Sequence, residues 1–466
     1  MKLYNTLTKT IDEFKTHEEG IVKMYTCGPT VYHFAHIGNL RSYMMEDVLE
    51  KYLRFIGYDV KRTMNITDVG HLTSDADTGE DKMVKGAKRE HKTVLEIAKQ
   101  YTDAFFKDCD ELNIRKPDTI VPATSYVGKF IKVIKTLQEK DFAYVSGGNV
   151  YFDTSKSENY GELAGLSDNK DDLKVGVRSD VEEDENKKNK NDFVLWFTKS
   201  KFEDQELKWN SPWGTGYPGW HIECSCISMA NLGEYLDIHC GGVDNIFPHH
   251  TNEIAQSEAY IGHKWCTHWF HVQHLNDLSG KMSKSSGAFL TLAVLKEKGY
   301  NPLAYRFFCL QSHYRKPLTF TFDSLDNCAS AYNKLYAKVS SLDTNGEVDK
   351  AKLEEFRKAF TDAMDQDLNT AQAVTVLYDV LKSEANDVTK RAAINEFDSV
   401  LSLGLKDAKP EVKKDVDEQK IMELIAERTE AKKNKDYAKA DEIRNKLAEE
   451  GIILIDTPQG TTFKVQ

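Results

Sequence analysis

No apolar run in this 466-residue chain is long enough to span a bilayer, which excludes a membrane-crossing helix. The opening, Met1-Lys2-Leu3-Tyr4-Asn5, lacks the apolar core that an export signal carries. Positive charge is in deficit as well. With 62 Lys and Arg against 74 Asp and Glu the formal net charge is −12, so no global basic field draws the protein to nucleic acid. Any RNA contact has to come from local clusters of Lys and Arg. Cysteine is sparse: 8 residues are scattered through the chain, which argues for thiols or metal ligands in a reducing cytoplasm rather than a disulfide framework. No internal repeat is visible. What remains is ordinary for a globular enzyme, 40% hydrophobic and 29% charged, and the length predicts roughly three domains.

The clearest supersecondary unit comes early. Gly20 to Thr26 reads as a strand, Cys27-Gly28-Pro29-Thr30 as a turn, and Asn39 to Phe55 as a helix with apolar residues at the helical period. Asp59 to Ile66 reads as a second strand. Strand, helix, strand implies a right-handed crossover and a parallel sheet, with the ligand beyond the carboxyl ends of its strands. The same elements recur later, a strand from Tyr235 to Cys240 and a helix from about Pro248 to Ile261. The fold class expected is therefore α/β, a Rossmann-like parallel-sheet domain split by an insertion, followed by a helical bundle and a small α+β tail. The boundaries predicted are 1–121 and 206–265 for the two halves, 122–205 for the insertion, 266–320 for a connecting region, 321–407 for the bundle and 418–466 for the tail. Within the insertion, Ser179 to Asp192 is charge-dense and reads as a mobile loop. Helices are predicted over Ser324–Leu342, Lys350–Asp365 and Thr370–Ser383.

Two segments carry the chemistry. His33-Phe34-Ala35-His36-Ile37-Gly38-Asn39 lies where a strand gives way to a helix, whose free amides and partial positive charge suit phosphate. Taken alone, His33 and His36 could equally cap or pack. Lys281-Met282-Ser283-Lys284-Ser285 is a small cationic stretch that could close over a triphosphate, although a Lys/Ser loop by itself is usually surface. Cys27, Cys224, His249 and Glu253 would make a metal shell suited to zinc, the last two sharing a helical face four residues apart. The spacing of the cysteines is too long for a local zinc signature, and His239, His250, Cys226 and Cys240 compete for the same roles.

The pair His36-Ile37-Gly38-Asn39 and Lys281-Met282-Ser283-Lys284-Ser285 resembles the signatures of class I aminoacyl-tRNA synthetases. The stretches Cys27 to Asn39, Ser211 to Ser225, Gly241 to Glu258, Met364 to Thr370 and Asp456 to Thr462 narrow the resemblance to the cysteinyl-tRNA synthetase family, over nearly the whole chain. The resemblance implies ATP-dependent activation of L-cysteine and its transfer to the terminal ribose of tRNA(Cys). It implies one Zn2+ held by Cys27, Cys224, His249 and Glu253, and Mg2+ accompanying ATP. The catalytic set carried over is His33, His36, Asn39, Lys281 and Lys284. Gly38, Gly241, Gly242, Asp244 and Lys284 would meet ATP, and Gly28, Thr67 and the lid residue Trp220 would meet cysteine. Residues 266–320 become an activation-loop and stem-contact region. The tail becomes an anticodon-binding module, with Lys432, Asp441 and Asp456 as candidate contacts. Cys240, Cys226 and Thr251 depart from the family pattern and leave the four ligands intact. A monomer is expected.

The chemistry agrees with the residues. Cysteine and serine differ by one atom, and shape alone separates near-isosteres poorly. Thiophilic zinc would separate them without an editing domain, and no segment demands one. Two other readings compete: a cysteine:amino-sugar ligase of mycothiol synthesis, and a non-catalytic paralogue that binds tRNA or serves as a zinc scaffold.

Overall fold

Why a parallel sheet forms is visible in the strand compositions. Ile21–Thr26 (β1) and Asp59–Ile66 (β2) flank the helix Ile37–Phe55 (α1) and pair in parallel, from Ile21 opposite Asp59 to Thr26 opposite Met64. Both strands are buried over most of their length, as expected of a parallel sheet covered on both faces. With Thr119–Pro122 (β3), Leu236–Gly242 (β4) and Cys266–Val272 (β5), they make a five-stranded sheet in the order β5-β4-β1-β2-β3. The order reverses direction between β1 and β4, which opens a crevice beyond the ends of those two strands. Cys27 and Gly241 lie at that crevice, and the Cys27 N–H donates to the Cys240 carbonyl at 3.3 Å. This computed structural model describes residues 1–69, 92–165, 184–199, 206–277, 280–281, 290–409, 418–434, 436–449, 452–457 and 460–465.

The alternation of side chains across the sheet splits the core in two. Val22 and Met24 join α1 residues Leu40, Met44 and Val48 on one face, whereas Tyr25 and Cys27 face Ile222, Cys224 and Trp269 on the other. The second core holds the helices His221–Leu232 (α2) and Thr251–Ile261 (α3), together with Phe130, Ile134 and Leu137 from the helix Val127–Glu139. A four-stranded antiparallel sheet, Ala143–Ser146, Asn149–Phe152, Phe193–Phe197 and Tyr217–Pro218, lies between the two halves in sequence. Its last strand lies beyond 205, because Trp196 pairs with Pro218 and Phe197 with Tyr217. Residues 184–192 are tethered rather than loose. Tyr151 donates to Asp184 at 2.7 Å, and Asp192 accepts from the Thr154 amide and hydroxyl and from the Tyr144 hydroxyl. The rest of the charge-dense stretch, 179–183, falls outside the described residues.

Arg41, fully buried on α1, donates to the carbonyls of Gln273, His274 and Lys316 at 2.6–2.8 Å, tying the start of the helix to the chain beyond β5. The helical region holds Phe322–Ser340, Lys350–Met364 and Thr370–Lys382, and a further helix, Asp387–Leu401, capped by Asn386. Phe360 and Phe397 stack there at 4.3 Å. The chain divides into two compact units, 1–408 and 409–466. The second has its own small core: Ile421 and Ile425 of the helix Glu418–Lys433 pack with Ile443 and Leu447 of Tyr437–Glu449, and with Ile452 and Leu454 of a hairpin formed by Ile452–Thr457 and Gly460–Val465. No helix among the described residues is long and apolar enough to cross a membrane.

Candidate active site

Four segments of the chain meet at the crevice. Cys27 follows β1, Cys224 lies in the first turn of α2, His249 immediately precedes α3, and Glu253 sits in its first turn. All four are buried. The Cys27 and Cys224 sulfurs are 3.8 Å apart, Cys224 Sγ is 3.5 Å from His249 Nε2, and His249 Nε2 is 2.9 Å from Glu253 Oε1. One donor atom from each lies within 4.8 Å of the others, a spacing that a single metal ion would satisfy. Two thiols, an imidazole and a carboxylate suit a borderline-soft divalent ion. A second set with the same compactness replaces Cys224 and His249 by His239 and His250 and shares Cys27 and Glu253. Within it, His239 Nε2 lies 2.8 Å from the outer Glu253 oxygen, Oε2, and His250 Nε2 lies 3.2 Å from Cys27 Sγ.

The surroundings set the charge. Burial opposes an imidazolium at His249, but the Glu253 carboxylate and Cys224 outweigh it and raise the pKa to about 10. Burial likewise opposes a charged Glu253, yet His239 and His249 hold it down at about 2. Burial and the neighbouring Cys224 sulfur push the Cys27 thiol well up. Cys224 itself is shifted down, because hydrogen bonds from Cys27 and His249 overcome its burial. One proton is therefore shared unevenly between the two sulfurs. His221 Nδ1 lies 2.9 Å from His249 Nδ1, which leaves the His249 Nε2 directed at the cluster, and Trp220 stacks on the same ring at 4.1 Å.

Beside the cluster opens a cavity of about 280 Å³ whose walls include Cys27, Gly28, His33, Asn39, Trp220, Gly241, Gly242 and Asp244. Gly28 is there because nothing larger fits: a Cβ would stand 1.5 Å from the Asn65 carbonyl oxygen. At Gly241 a Cβ would meet the His250 ring at 2.7 Å. His36 is the N-cap of α1: its Nδ1 accepts from the Asn39 amide at 3.1 Å, and the Asn39 side chain accepts from the His36 amide at 3.3 Å. The capping alternative is therefore realised for His36, and it assigns a tautomer, since Nδ1 as acceptor puts the proton on Nε2. His33 stacks on Tyr101 at 6.0 Å. Thr67 is buried behind Gly28, with its hydroxyl donating to Glu223 at 2.8 Å. Lys281 is in a short strand opposite Asn276, and Lys284 lies outside the described residues. Lys432 and Asp441 are exposed on the two tail helices, and Asp456 pairs with Thr461 in the hairpin.

Comparison with known proteins decides the family. The chain is 46% identical to the cysteine–tRNA ligase of Treponema denticola and 45% identical to that of Borrelia turicatae, in each case over 100% of this chain and 99% of the relative. The chain belongs to the cysteine–tRNA ligase family. The family model for the catalytic domain of class I (C) tRNA synthetases matches residues 13–330, and that for the DALR domain matches 359–404. The cysteine–tRNA ligase of Caldicellulosiruptor saccharolyticus is 42% identical over 99% of both chains. Among solved structures, Mycobacterium tuberculosis methionyl-tRNA synthetase in complex with methionyl-adenylate aligns with a TM-score of 0.56 at 13% identity, covering 84% of this chain and 92% of that one. That likeness is one of fold.

For this cysteine–tRNA ligase family member, several site residues escaped the sequence reading. Ser42, Tyr43 and Glu46 line the cavity with Asn39, on one face of α1 at spacings of three, four and seven. That periodicity was available in the sequence. His221 and Glu223, one residue to either side of a buried apolar position, carried no such signal. Their placement depends on α2 docking against the β2 end.

Proposed function

We propose that this chain is a cysteine–tRNA ligase, which activates L-cysteine with ATP to cysteinyl-adenylate and pyrophosphate and then transfers it to the 3′-terminal ribose of tRNA(Cys). The observation that carries this reading is the buried Cys27, Cys224, His249 and Glu253 cluster opening onto the cavity at the sheet's switch point. We assign Zn2+ to that set: a thiophilic ion there would lower the pKa of a substrate thiol and so separate cysteine from serine. The second donor set fits better as support, because His239 binds the outer oxygen of Glu253 and orients it.

The remaining residues align and neutralise. The carboxylate of cysteine attacks the α-phosphorus in line as pyrophosphate leaves, and no side-chain nucleophile is needed. Capping fixes His36 with an Nε2–H that donates to phosphate, and His33, Asn39 and the α1 amides add further donors. Gly38, Gly241, Gly242 and Asp244 border the nucleotide, while Lys281 and Lys284, with Mg2+, offset the charge of the triphosphate. Gly28, Thr67 and Trp220 enclose the amino acid, Trp220 as a lid on His249. The unit 409–466 reads the anticodon, with Lys432, Asp441 and Asp456 as contacts. We take the enzyme to act as a cytoplasmic monomer with the domain limits given above. An amino-sugar ligase and a tRNA-binding scaffold are less well supported, since the cysteine–tRNA ligases named above align along their whole length.

The test is ATP–pyrophosphate exchange with metal-replete protein, followed by acylation of tRNA(Cys). Exchange should require cysteine and fail with serine, and the acceptor should be tRNA rather than an amino-sugar. Cys27→Ser should lose bound zinc and exchange together; a variant that kept both would overturn the ligand assignment.

A further inference from the structure

Thr67 is held in a hydrogen-bond chain whose direction is fixed from one end. The Gly28 amide donates to Asn65 Oδ1 at 2.7 Å, and the Tyr25 hydroxyl donates to the same oxygen at 3.1 Å. A backbone N–H can only donate, so the Asn65 amide is oriented without ambiguity and its Nδ2 faces the other way. Nδ2 donates to Thr67 Oγ1 at 2.9 Å, and Thr67 Oγ1 donates to Glu223 Oε2 at 2.8 Å. Asn65 and Thr67 are 1% exposed and Glu223 is fully buried. A hydroxyl has one proton and two lone pairs. Here the proton is committed to Glu223 and one lone pair to Asn65, so the remaining capacity of Thr67 is that of an acceptor.

The chain of bonds touches both parts of the site. Asn65 Oδ1 is 3.7 Å from the Cys224 sulfur, and Glu223 precedes Cys224 in the first turn of α2. At the other side, Thr67 pairs with Thr30, which lines the cavity with Gly28. In an aminothiol the nitrogen is two carbons from the sulfur, so a ligand with its thiol at the metal cluster has its ammonium within reach of this hydroxyl. We propose that Glu223 is the positioning residue for the α-ammonium of the amino-acid substrate: it polarises Thr67 into an acceptor and places a buried carboxylate behind it. An ammonium supplies the donor that Thr67 lacks, whereas a carboxylate offered at the same point meets a lone pair and a like charge. The amino acid is thereby oriented with its own carboxylate away from α2. This inference rests on the reading of the chain as a cysteine-activating enzyme.

Two small thiols separate this role from a merely structural one. Cysteamine keeps the thiol and ammonium of cysteine, and 3-mercaptopropionate keeps the thiol and carboxylate. In the metal-loaded full-length enzyme, Glu223→Gln should raise the KM for cysteine by about tenfold or more while that for ATP stays within about twofold. Cysteamine should weaken as a competitor by about the same factor, and 3-mercaptopropionate should be unchanged or tighter. Equal losses for the two thiols, or no loss for either, would overturn the proposal. Should Glu223→Gln fail to fold or to hold metal, Thr67→Val must show the same ammonium-selective loss. The wild-type enzyme must in any case bind cysteamine more tightly than 3-mercaptopropionate, and the reverse order refutes the idea without any variant. Absence of cysteine-dependent exchange in the wild type would instead defeat the functional reading itself.

Discussion

Gly28 shows how closely single residues are specified at this site. Its absent side chain lets the turn after β1 lie against the Asn65 carbonyl, where a Cβ would sit 1.5 Å from backbone oxygen. Neither partner is a flexible side-chain tip, so the strand ends themselves must part. Gly28→Ala is expected to lower the exchange rate by about a hundredfold, because displacements near 1 Å at a reacting centre cost that much. Measurement of exchange beside bound zinc would show whether the damage reaches Cys27, the next residue. The sequence made Gly28 legible as part of a turn, and the resemblance made it a contact for cysteine. That the glycine faces a neighbouring strand could be known only once β1 and β2 were in register. His36 is the complementary case. Both of its sequence readings, cap and phosphate donor, hold at once, because a cap uses Nδ1 and leaves the other nitrogen protonated.

At the scale of the element, α1 is the most heavily used part of the fold. One face caps and lines the cavity, and the buried side carries Arg41, Glu46, Asp47 and Glu50. The carboxylates are matched from three directions: Arg62 of β2 reaches Glu50 at 3.0 Å and Glu46 at 3.5 Å, Arg306 reaches Asp47 at 2.7 Å, and Arg115 reaches Glu50 at 2.6 Å. Glu46 is the least satisfied of these acids. Burial pushes its pKa up to about 7, against the pull of Arg62 and a hydrogen bond from Thr26. A carboxyl whose folded pKa exceeds its unfolded one stabilises the fold most below the unfolded value and loses that contribution as the pH rises through the folded value. Stability should therefore fall between about pH 4.5 and pH 7, by up to about 3 kcal/mol from this group. Urea unfolding at pH 5 and pH 7.5 should show the decline in the wild type and a flatter profile in Glu46→Gln. The apolar stripe of α1 was plain in the sequence. Its buried charges were not, because a period of 3.6 marks which face is apolar and says nothing of salt bridges that arrive from other elements. The helix Asp387–Leu401 went unread for a different reason. Its signal, Asn386 as cap and Ile394, Phe397 and Leu401 on one stripe, was present but interrupted by Asn395 and Asp398.

The molecule as a whole is two units with separate cores, and the break after Ala408 coincides with the polar, proline-bearing stretch of the sequence. Amino-acid activation uses residues of the first unit, and the proposed anticodon contacts belong to the second. A chain ending at Ala408 is expected to keep cysteine-dependent exchange within about threefold while losing tRNA charging by more than about a hundredfold. Parallel loss of both activities would show that the second unit supports the first. One further consequence follows from where the cluster's donors lie in the chain. Cys27 and Cys224 are 197 positions apart, and Glu253 comes later still. On the ribosome, an emerging Cys27 therefore has none of these three partners for most of the time the catalytic unit takes to be made. The ion can be captured only when both halves of the split domain exist and have closed on each other. Metal content is thus a certificate of completed synthesis, and abandoned fragments release no competitor for the cell's supply.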